Sequence, residues 1–225
     1  MRLALTVFAV FILNGCASIQ SSQPLSQYVT AIAKDDQRQI IWLDERVNTP
    51  EKLTQLMLFG RAGYYQTEYR WNEGVLREID REEEKVVDGE LSNISMRIRF
   101  DHNGQAVYQQ YLVNDEIFPI KNDQLTRYYK QAQSTYQTAQ SLIEQNKFFF
   151  QGYIQEGKIR ECGTNRNKLL TISDPLYAND IFDNEKRFIA AMGTVSFMRN
   201  TAEVVIALED ADFPCFTRPV FAQSE

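Results

Sequence analysis

The chain has 225 residues, with 24 Lys or Arg against 30 Asp or Glu, so its formal net charge is −6 at pH 7. An acidic chain without a basic block is poorly suited to bind nucleic acid or to lie flat on an anionic membrane. The length is sufficient for one sizeable domain or two small ones.

The N-terminus has the composition of a secretory signal. One basic residue, Arg2, precedes the apolar run Leu3 to Leu13, which only Thr6 interrupts. The run fits a signal-peptide core of about 7–15 residues. It is shorter than the about 20 apolar residues that a membrane-spanning helix needs. The sequence therefore predicts a signal peptide over residues 1–15.

The end of this segment reads Leu13, Asn14, Gly15, Cys16. It resembles the lipobox of bacterial lipoproteins, although Asn14 stands where a small residue is usual. The resemblance implies cleavage before Cys16 and a lipid on its sulfur, usually with an added N-acyl chain (palmitate). Because Ala17 rather than Asp follows the cysteine, it also implies the outer membrane, facing the periplasm, more than the inner membrane. The alternative is an ordinary signal peptide in which Cys16 is incidental.

Two cysteines remain once Cys16 is assigned to lipid, namely Cys162 and Cys215. An even count in an oxidising compartment predicts a disulfide between them. Two free thiols or a metal pair are the alternatives. No histidine lies near either cysteine, so we expect no metal site and no cofactor.

Residues 16–39 are expected to form a tether and a short helix. Small polar residues over 17–23 are typical of a flexible linker. A helix over Pro24 to Lys34 is predicted because its apolar residues share one helical face. These residues are Leu25, Tyr28, Val29 and Ile32.

Residues 40–147 are expected to form an antiparallel β region closed by one long helix. Between Ile40 and Ile120 the period of the apolar residues is two, and the pair Asn103-Gly104 separates two alternating runs, which is a strong hairpin signal. The pattern predicts roughly six to eight strands in a meander. Apolar residues then recur at the helical period over Asp123 to Gln145, so the helix should pack on the sheet.

Residues 148–225 are expected to form a smaller β unit that contains the disulfide. We predict one long bent strand over Phe148 to Cys162, a strand over Lys168 to Ile172, and a short helix near Leu176 to Phe182. Two further strands follow, Phe188 to Phe197 and Ala202 to Leu208. This order of elements resembles a small OB-like barrel. The predicted fold class is therefore α+β and mostly antiparallel β, with a meander, a long helix and a barrel-like C-terminal unit.

Aromatic residues crowd the first β region. They are either core and cross-strand pairs, or a groove for an apolar ligand or a partner segment. Exposed strand edges offer another route to a partner. The candidate surface consists of Tyr65, Tyr69, Trp71, Tyr108 and Tyr111.

The sequence contains no recognisable catalytic motif, so we assign no catalytic residue. His102, the only histidine, lies in a turn where polar residues are expected for backbone reasons. Carboxylates cluster at residues 82–84, 180–185 and 209–212, and a pair of them could perform acid–base chemistry if burial raised one pKa.

The chain as a whole resembles uncharacterised gammaproteobacterial lipoproteins in its lipobox, its length and its late cysteine pair. We expect a non-catalytic interaction or ligand-binding module, held to the membrane through lipid on Cys16, whose partner is an envelope protein or a small apolar ligand. A carrier of lipid or of a small apolar molecule is the first alternative. An enzyme with an unrecognised carboxylate site is the second.

Overall fold

The computed structural model describes residues 24–59, 63–87, 89–174, 176–177 and 186–221. The predicted signal peptide, Cys16 and the tether lie outside these residues, as does most of the short helix predicted near residues 176–182. Within the described ranges, no helix combines the length and the apolar character that crossing a membrane requires.

Eight strands form one antiparallel sheet in which neighbours in sequence are neighbours in space. This arrangement confirms the predicted meander. The turns that join the strands are short, and at Asn114 and Asp115 both residues have positive φ, as tight hairpins require. The strands are β1 (Ser26–Lys34), β2 (Gln37–Arg46), β3 (Thr49–Leu58), β4 (Gly63–Asn72), β5 (Val75–Val87), β6 (Glu90–Phe100), β7 (Ala106–Val113) and β8 (Glu116–Ile117).

The short helix predicted over Pro24 to Lys34 is wrong, because this segment is strand β1. It pairs with β2 along its whole length, from Ser26 opposite Glu45 to Lys34 opposite Gln37. Its apolar residues are buried in two directions, since Ile32 packs under the helix and Ala31 packs against the C-terminal barrel. A strand buried on both faces has no clear alternation, and so it resembled a helix in the sequence.

The long helix, α1 (Asn122–Glu144), confirms the predicted one to within a residue at each end. The Gln124 side chain accepts a hydrogen bond from the Lys121 backbone N–H at 2.8 Å, which closes the N-terminus. Asn146 has a φ of 58° and follows the helix, as an αL residue at a C-terminus commonly does. Ala132 and Ala139 are fully buried against the sheet, where small side chains permit close approach.

Five strands after the helix close into a barrel, in the order β9-β10-β11-β13-β12. The pair β11 and β13 is parallel and the other pairs are antiparallel. This strand order with one parallel pair agrees with the predicted OB-like barrel. The strands are β9 (Phe148–Gln155), β10 (Lys158–Glu161), β11 (Asn167–Ile172), β12 (Arg187–Val195) and β13 (Arg199–Asp210).

The single bent strand predicted over Phe148 to Cys162 is wrong, because it is a hairpin of β9 and β10. Glu156 and Gly157 both have positive φ and turn the chain back on itself. The two strands then approach so closely at Gly152 that an added Cβ would lie 2.2 Å from the carbonyl oxygen of Arg160. Gly152 is therefore required by the backbone contact and not by a bend.

The barrel packs on the face of the sheet opposite α1. Ala31 and Ile40 of the sheet share a core with Phe188, Ala190 and Met192 of β12. On the other face, Ile41 and Leu43 of β2 lie in the core under α1. The first two strands are thus covered on both sides.

The C-terminal segment, residues 211–221, joins the barrel to the sheet. Cys215 forms the predicted disulfide with Cys162, with 6.3 Å between the Cα atoms. The Gln151 side chain bonds both backbone groups of Phe216, at 2.7 and 2.8 Å. Further along, the Arg218 guanidinium donates two 2.9 Å hydrogen bonds to the buried Asp44 carboxylate. The disulfide therefore fastens the C-terminal segment to the barrel, and Arg218 of the same segment pairs with β2 of the sheet.

We expect the loss of this disulfide to destabilise the fold. The bond closes a loop with a sequence separation of 53, which corresponds to about 4 kcal/mol in the chain-entropy model. A double variant, Cys162→Ser with Cys215→Ser, should lose up to that amount in urea denaturation, and dithiothreitol should reduce the stability of the wild-type chain similarly. A loss below about 1 kcal/mol would contradict this role for the disulfide.

Candidate functional site

The outer edge of β7 is open over most of its length. β8 pairs only with Leu112 and Val113, and its neighbour Phe118 donates a backbone hydrogen bond to the Tyr111 carbonyl at 2.9 Å. Within the described part of the chain, no strand pairs with this edge before Leu112. Because the backbone groups of a strand alternate in direction, Gln109 presents its N–H and C=O on the same side as Tyr111.

Large apolar side chains border this open edge. Val107 is 67% exposed and Ile117 is 75% exposed, and the rings of Tyr108 and Phe118 are also exposed. Natural sheets usually protect an edge with charge, proline or a covering element. Here a short β8 and apolar side chains accompany an uncovered stretch of backbone. An edge with these properties is suited to accept an added strand.

A cleft of about 600 Å³ adjoins the start of β7, between the turn at residues 101–105 and the first turns of α1. Phe100 and Tyr129 pack edge to face on its wall, with 5.5 Å between ring centroids. Leu125 lies beside them, and Ala106, the first residue of β7, lines the same cleft. An extended segment on the β7 edge could place an apolar side chain there.

The turn that borders the cleft is held by its own polar groups. The Asp101 carboxylate accepts backbone N–H bonds from Asn103 at 2.9 Å and Gln105 at 2.8 Å. The bond from Gln105, together with that from Asn103, lowers the pKa of Asp101. His102 is exposed in this turn. Gly104 has a φ of 76° beside the ring of Tyr129.

The five aromatic residues of the candidate surface do not share one environment. Tyr65 and Tyr69 are buried, whereas Trp71 and Tyr111 are half-buried and pack against the core under α1. Only Tyr108 is exposed, and it lies on β7. The other four rings therefore belong to the core, where Trp71 packs against both Tyr69 and Tyr136.

A partly buried arginine, Arg81, accounts for part of this aromatic crowding. The Arg81 guanidinium carbon lies 3.6 Å from the centroid of the Tyr65 ring and forms a salt bridge with Glu83 at 3.1 Å. Sequence reasoning placed residues 82–84 in an acidic cluster, but they lie within β5. There alternate residues point to opposite faces of the sheet, so Glu83 reaches Arg81 under the helix.

The face of the sheet opposite α1 carries paired charges. Asp80 is buried, and its carboxylate accepts a hydrogen bond from Arg97. Burial raises the pKa of Asp80, and the bond from Arg97 opposes this rise. Glu68 pairs with Arg70, and Asp44 with Arg218. Each of these carboxylates is thus paired with a guanidinium group.

The other sequence candidates are dispersed. Glu209 and Asp210 are exposed at the end of β13. Residues 180–185 and Cys16 lie outside the described residues. In the ranges that the structure covers, no group of three or more potential metal ligands is found. Sequence reasoning did not identify Val107, Ile117 and Phe118 as residues that border an open strand edge. Their only sequence signal is that they are apolar and lie close to a very short strand.

These features define a class of protein: an antiparallel meander with one helix, joined to a five-stranded barrel and fastened by a disulfide, with an open apolar sheet edge. The family model DUF1481, described as a protein of unknown function, matches residues 30–220, and the chain belongs to this family. No curated protein and no solved structure matches the chain. The matched range includes both the sheet and the barrel but not Cys16.

Tyr69 provides a test of the core beneath α1. Its side chain is 1% exposed, and burial raises the pKa of its hydroxyl above the ordinary value of about 10. Above that pH the unfolded chain loses a proton that the folded chain keeps, so the stability falls as the pH rises. One such tyrosine contributes a slope of up to about 1.4 kcal/mol per pH unit.

We expect a Tyr69→Phe variant to show a shallower loss of unfolding free energy between about pH 9.5 and 11 than the wild-type chain. Tyr108→Phe is the control, since that ring is exposed, and its slope should equal that of the wild type. Urea titrations at each pH measure the slope. An unchanged slope for Tyr69→Phe would show that this hydroxyl is not protected from ionisation.

Proposed function

We propose that this protein is a lipid-anchored protein of the bacterial envelope that binds an extended segment of a partner protein along the free edge of β7. The observation that carries the proposal is the open backbone at Gln109 beside exposed Val107 and Tyr108. Strand addition would satisfy these backbone groups, and the neighbouring cleft would select one apolar side chain.

The anchor rests on the sequence around Cys16. The disulfide between Cys162 and Cys215 supports an oxidising compartment such as the periplasm, because structural disulfides are rare in the cytosol. With Ala17 after the cysteine, we propose the outer membrane, facing the periplasm. The lipid explains how a chain with a net charge of −6 is held at an anionic surface.

The interaction role is favoured over the carrier role by the packing under α1. Tyr69, Ile79 and Ile98 are each at most 1% exposed and fill the space between helix and sheet. The cleft at Phe100 opens to solvent at the end of the helix and adjoins the β7 edge. Its position suits a side chain of an added strand better than an enclosed lipid.

The β7 edge can be tested by photo-cross-linking in intact cells. A photo-reactive amino acid at Gln109 should trap a discrete partner, whereas the same residue at Gln137, which is exposed on α1, should not. Gln109→Pro removes only an outward N–H, so the β6–β7 pairing should persist. With the photo-reactive residue moved to Val107, Gln109→Pro should lower the yield by up to about tenfold, as expected for loss of one backbone hydrogen bond.

Equal yields at positions 109 and 137, or a yield at Val107 unaffected by Gln109→Pro, would contradict binding by strand addition. A thermal melt of the Gln109→Pro variant controls for loss of the fold.

The anchor is tested separately by fractionation of cells that express a Cys16→Ser variant. We expect this variant to lose the lipid, which mass spectrometry of the N-terminal peptide detects in the wild type. The double variant Cys162→Ser with Cys215→Ser keeps Cys16 and should remain with the outer membrane, which makes it the matched control. An unlipidated Cys16 in wild-type protein would overturn the anchor while leaving the β7 proposal intact.

A further inference from the structure

The barrel carries a group of cations that differs from every charged group described above. Lys158 and Arg160 lie on β10, and Lys186 directly precedes β12. All three line one cleft of about 380 Å³ around the ring of Tyr153. Lys186 Nζ lies 5.0 Å from the centroid of that ring, and the Arg160 guanidinium carbon lies 5.8 Å from it.

In the part of the chain that the structure describes, these cations form no ion pair with a carboxylate, in contrast to those of the sheet. Arg70, Arg97 and Arg218 each form salt bridges with buried carboxylates. Among the residues that the structure describes, neither Lys158, Arg160 nor Lys186 forms a salt bridge, and the side chains of Arg160 and Lys186 contact the ring of Tyr153. In a chain with net charge −6, an unpaired basic group of this kind is a local exception.

The geometry of β10 places two like charges close together, which is electrostatically unfavourable. Lys158 and Arg160 are two residues apart on one strand, so their side chains leave the same face about 7 Å apart. Arg160 is opposite Tyr153 on β9 and Asn167 on β11, and Lys158 is opposite Gln155. Repulsion between neighbouring like charges is unfavourable unless an anion lies between them.

The charge and donor set indicate the chemistry of that anion. Among the described residues that line the cleft, three cations and one carboxylate, Glu156, give a net charge of 3 − 1 = +2. A phosphate monoester carries about −1.5 to −2 at pH 7, whereas one carboxylate carries −1. The Arg160 fork and the two ammonium groups supply charged donors, and the side-chain amides of Gln155 and Asn167 supply neutral ones.

The cleft is held in place by the C-terminal segment. The Tyr153 hydroxyl donates a 3.0 Å hydrogen bond to the carbonyl of Phe213, and Cys215 Sγ lies 3.9 Å from the same hydroxyl. The ring against which both cations rest is therefore fixed by the segment that the disulfide fastens. The cleft, at about 380 Å³, is larger than a phosphate group alone, so it has room for the alcohol portion of a phosphate ester.

We propose that the cleft formed by Lys158, Arg160, Lys186 and Tyr153 binds a phosphate ester. The site lies on the barrel and is independent of the β7 edge. The phosphate can belong to a soluble phosphorylated molecule or to a phospholipid headgroup, and the experiment distinguishes these two sources.

The experiment uses the full chain in neutral detergent micelles and isothermal titration calorimetry. One arm titrates glycerol 3-phosphate and inorganic phosphate. The second arm adds phosphatidic acid, a lipid whose headgroup is a phosphate monoester, to the micelles, with phosphatidylcholine, which has no net charge, as the reference. We expect saturable binding in at least one arm, weakened by added salt because the contacts are ionic. Heat from glycerol 3-phosphate indicates a soluble ligand, and heat from phosphatidic acid alone indicates a headgroup.

Arg160→Gln should weaken binding about tenfold or more, as expected for loss of a charged hydrogen-bond donor. Arg127→Gln is the matched control, because it also removes one guanidinium, from the exposed face of α1, and should leave the affinity unchanged. Lys158→Gln provides a second test if Arg160→Gln does not fold. Absence of binding in both arms, or equal weakening by Arg127→Gln, would overturn the proposal.

Discussion

The structure depends on burial of the hairpin of β1 and β2 from both sides. Ile41 and Leu43 face the core under α1, and Ile40 and Ala31 face the barrel. If only one face of the sheet were covered, the apolar side chains on the other face of this hairpin would be exposed to solvent. Here the same two strands hold both the helix and the barrel, so the two cores are separated by a single layer of backbone. The Asp44 carboxylate of β2 also accepts hydrogen bonds from Arg218, which joins the C-terminal segment to the strand where the packing begins.

This arrangement also accounts for the open edge. The barrel contacts the β1 side of the sheet, where the Thr30 hydroxyl donates to the carbonyl of Lys147 at 2.9 Å. The opposite side ends at β7 and the two-residue β8, away from the barrel. A meander sheet has two edges, and the barrel lies at the β1 end of the sheet, away from the β7 edge. The position of the proposed interaction edge thus follows from the position of the barrel.

Charge is distributed differently over the two parts of the molecule. On the sheet, cations and carboxylates alternate across strands, as where Arg70 contacts both Glu68 and Glu78, so that buried charge is neutralised within the protein. On the barrel, Lys168 is paired with Glu161, but the cations around Tyr153 form no ion pair with any carboxylate that the structure describes. The net charge of the chain conceals this contrast, because it sums over both parts.

Elements with local sequence signals could be predicted before the fold was known. The alternating run before Asn103-Gly104, the 3.6-residue period of α1 and the even cysteine pair each depend on residues close in sequence or on simple counting. They predicted the hairpin, the helix and the disulfide. Local signals failed where burial came from distant residues. β1 resembled a helix because both of its faces are covered, and β9 and β10 resembled one strand because their turn is formed by Glu156 and Gly157 without a strong turn motif.

Which candidate residues are accessible depends on contacts between parts of the chain that are distant in sequence. Tyr69 and Tyr108 belong to the same aromatic-rich region of sequence, yet α1 buries the first, whereas the second is exposed on β7. Likewise, Arg160 and Lys186 are separated by much of the barrel in sequence and meet only because β10 and β12 both flank β9. Accessibility and long-range juxtaposition depend on which surfaces cover one another, and that follows from packing of the whole chain.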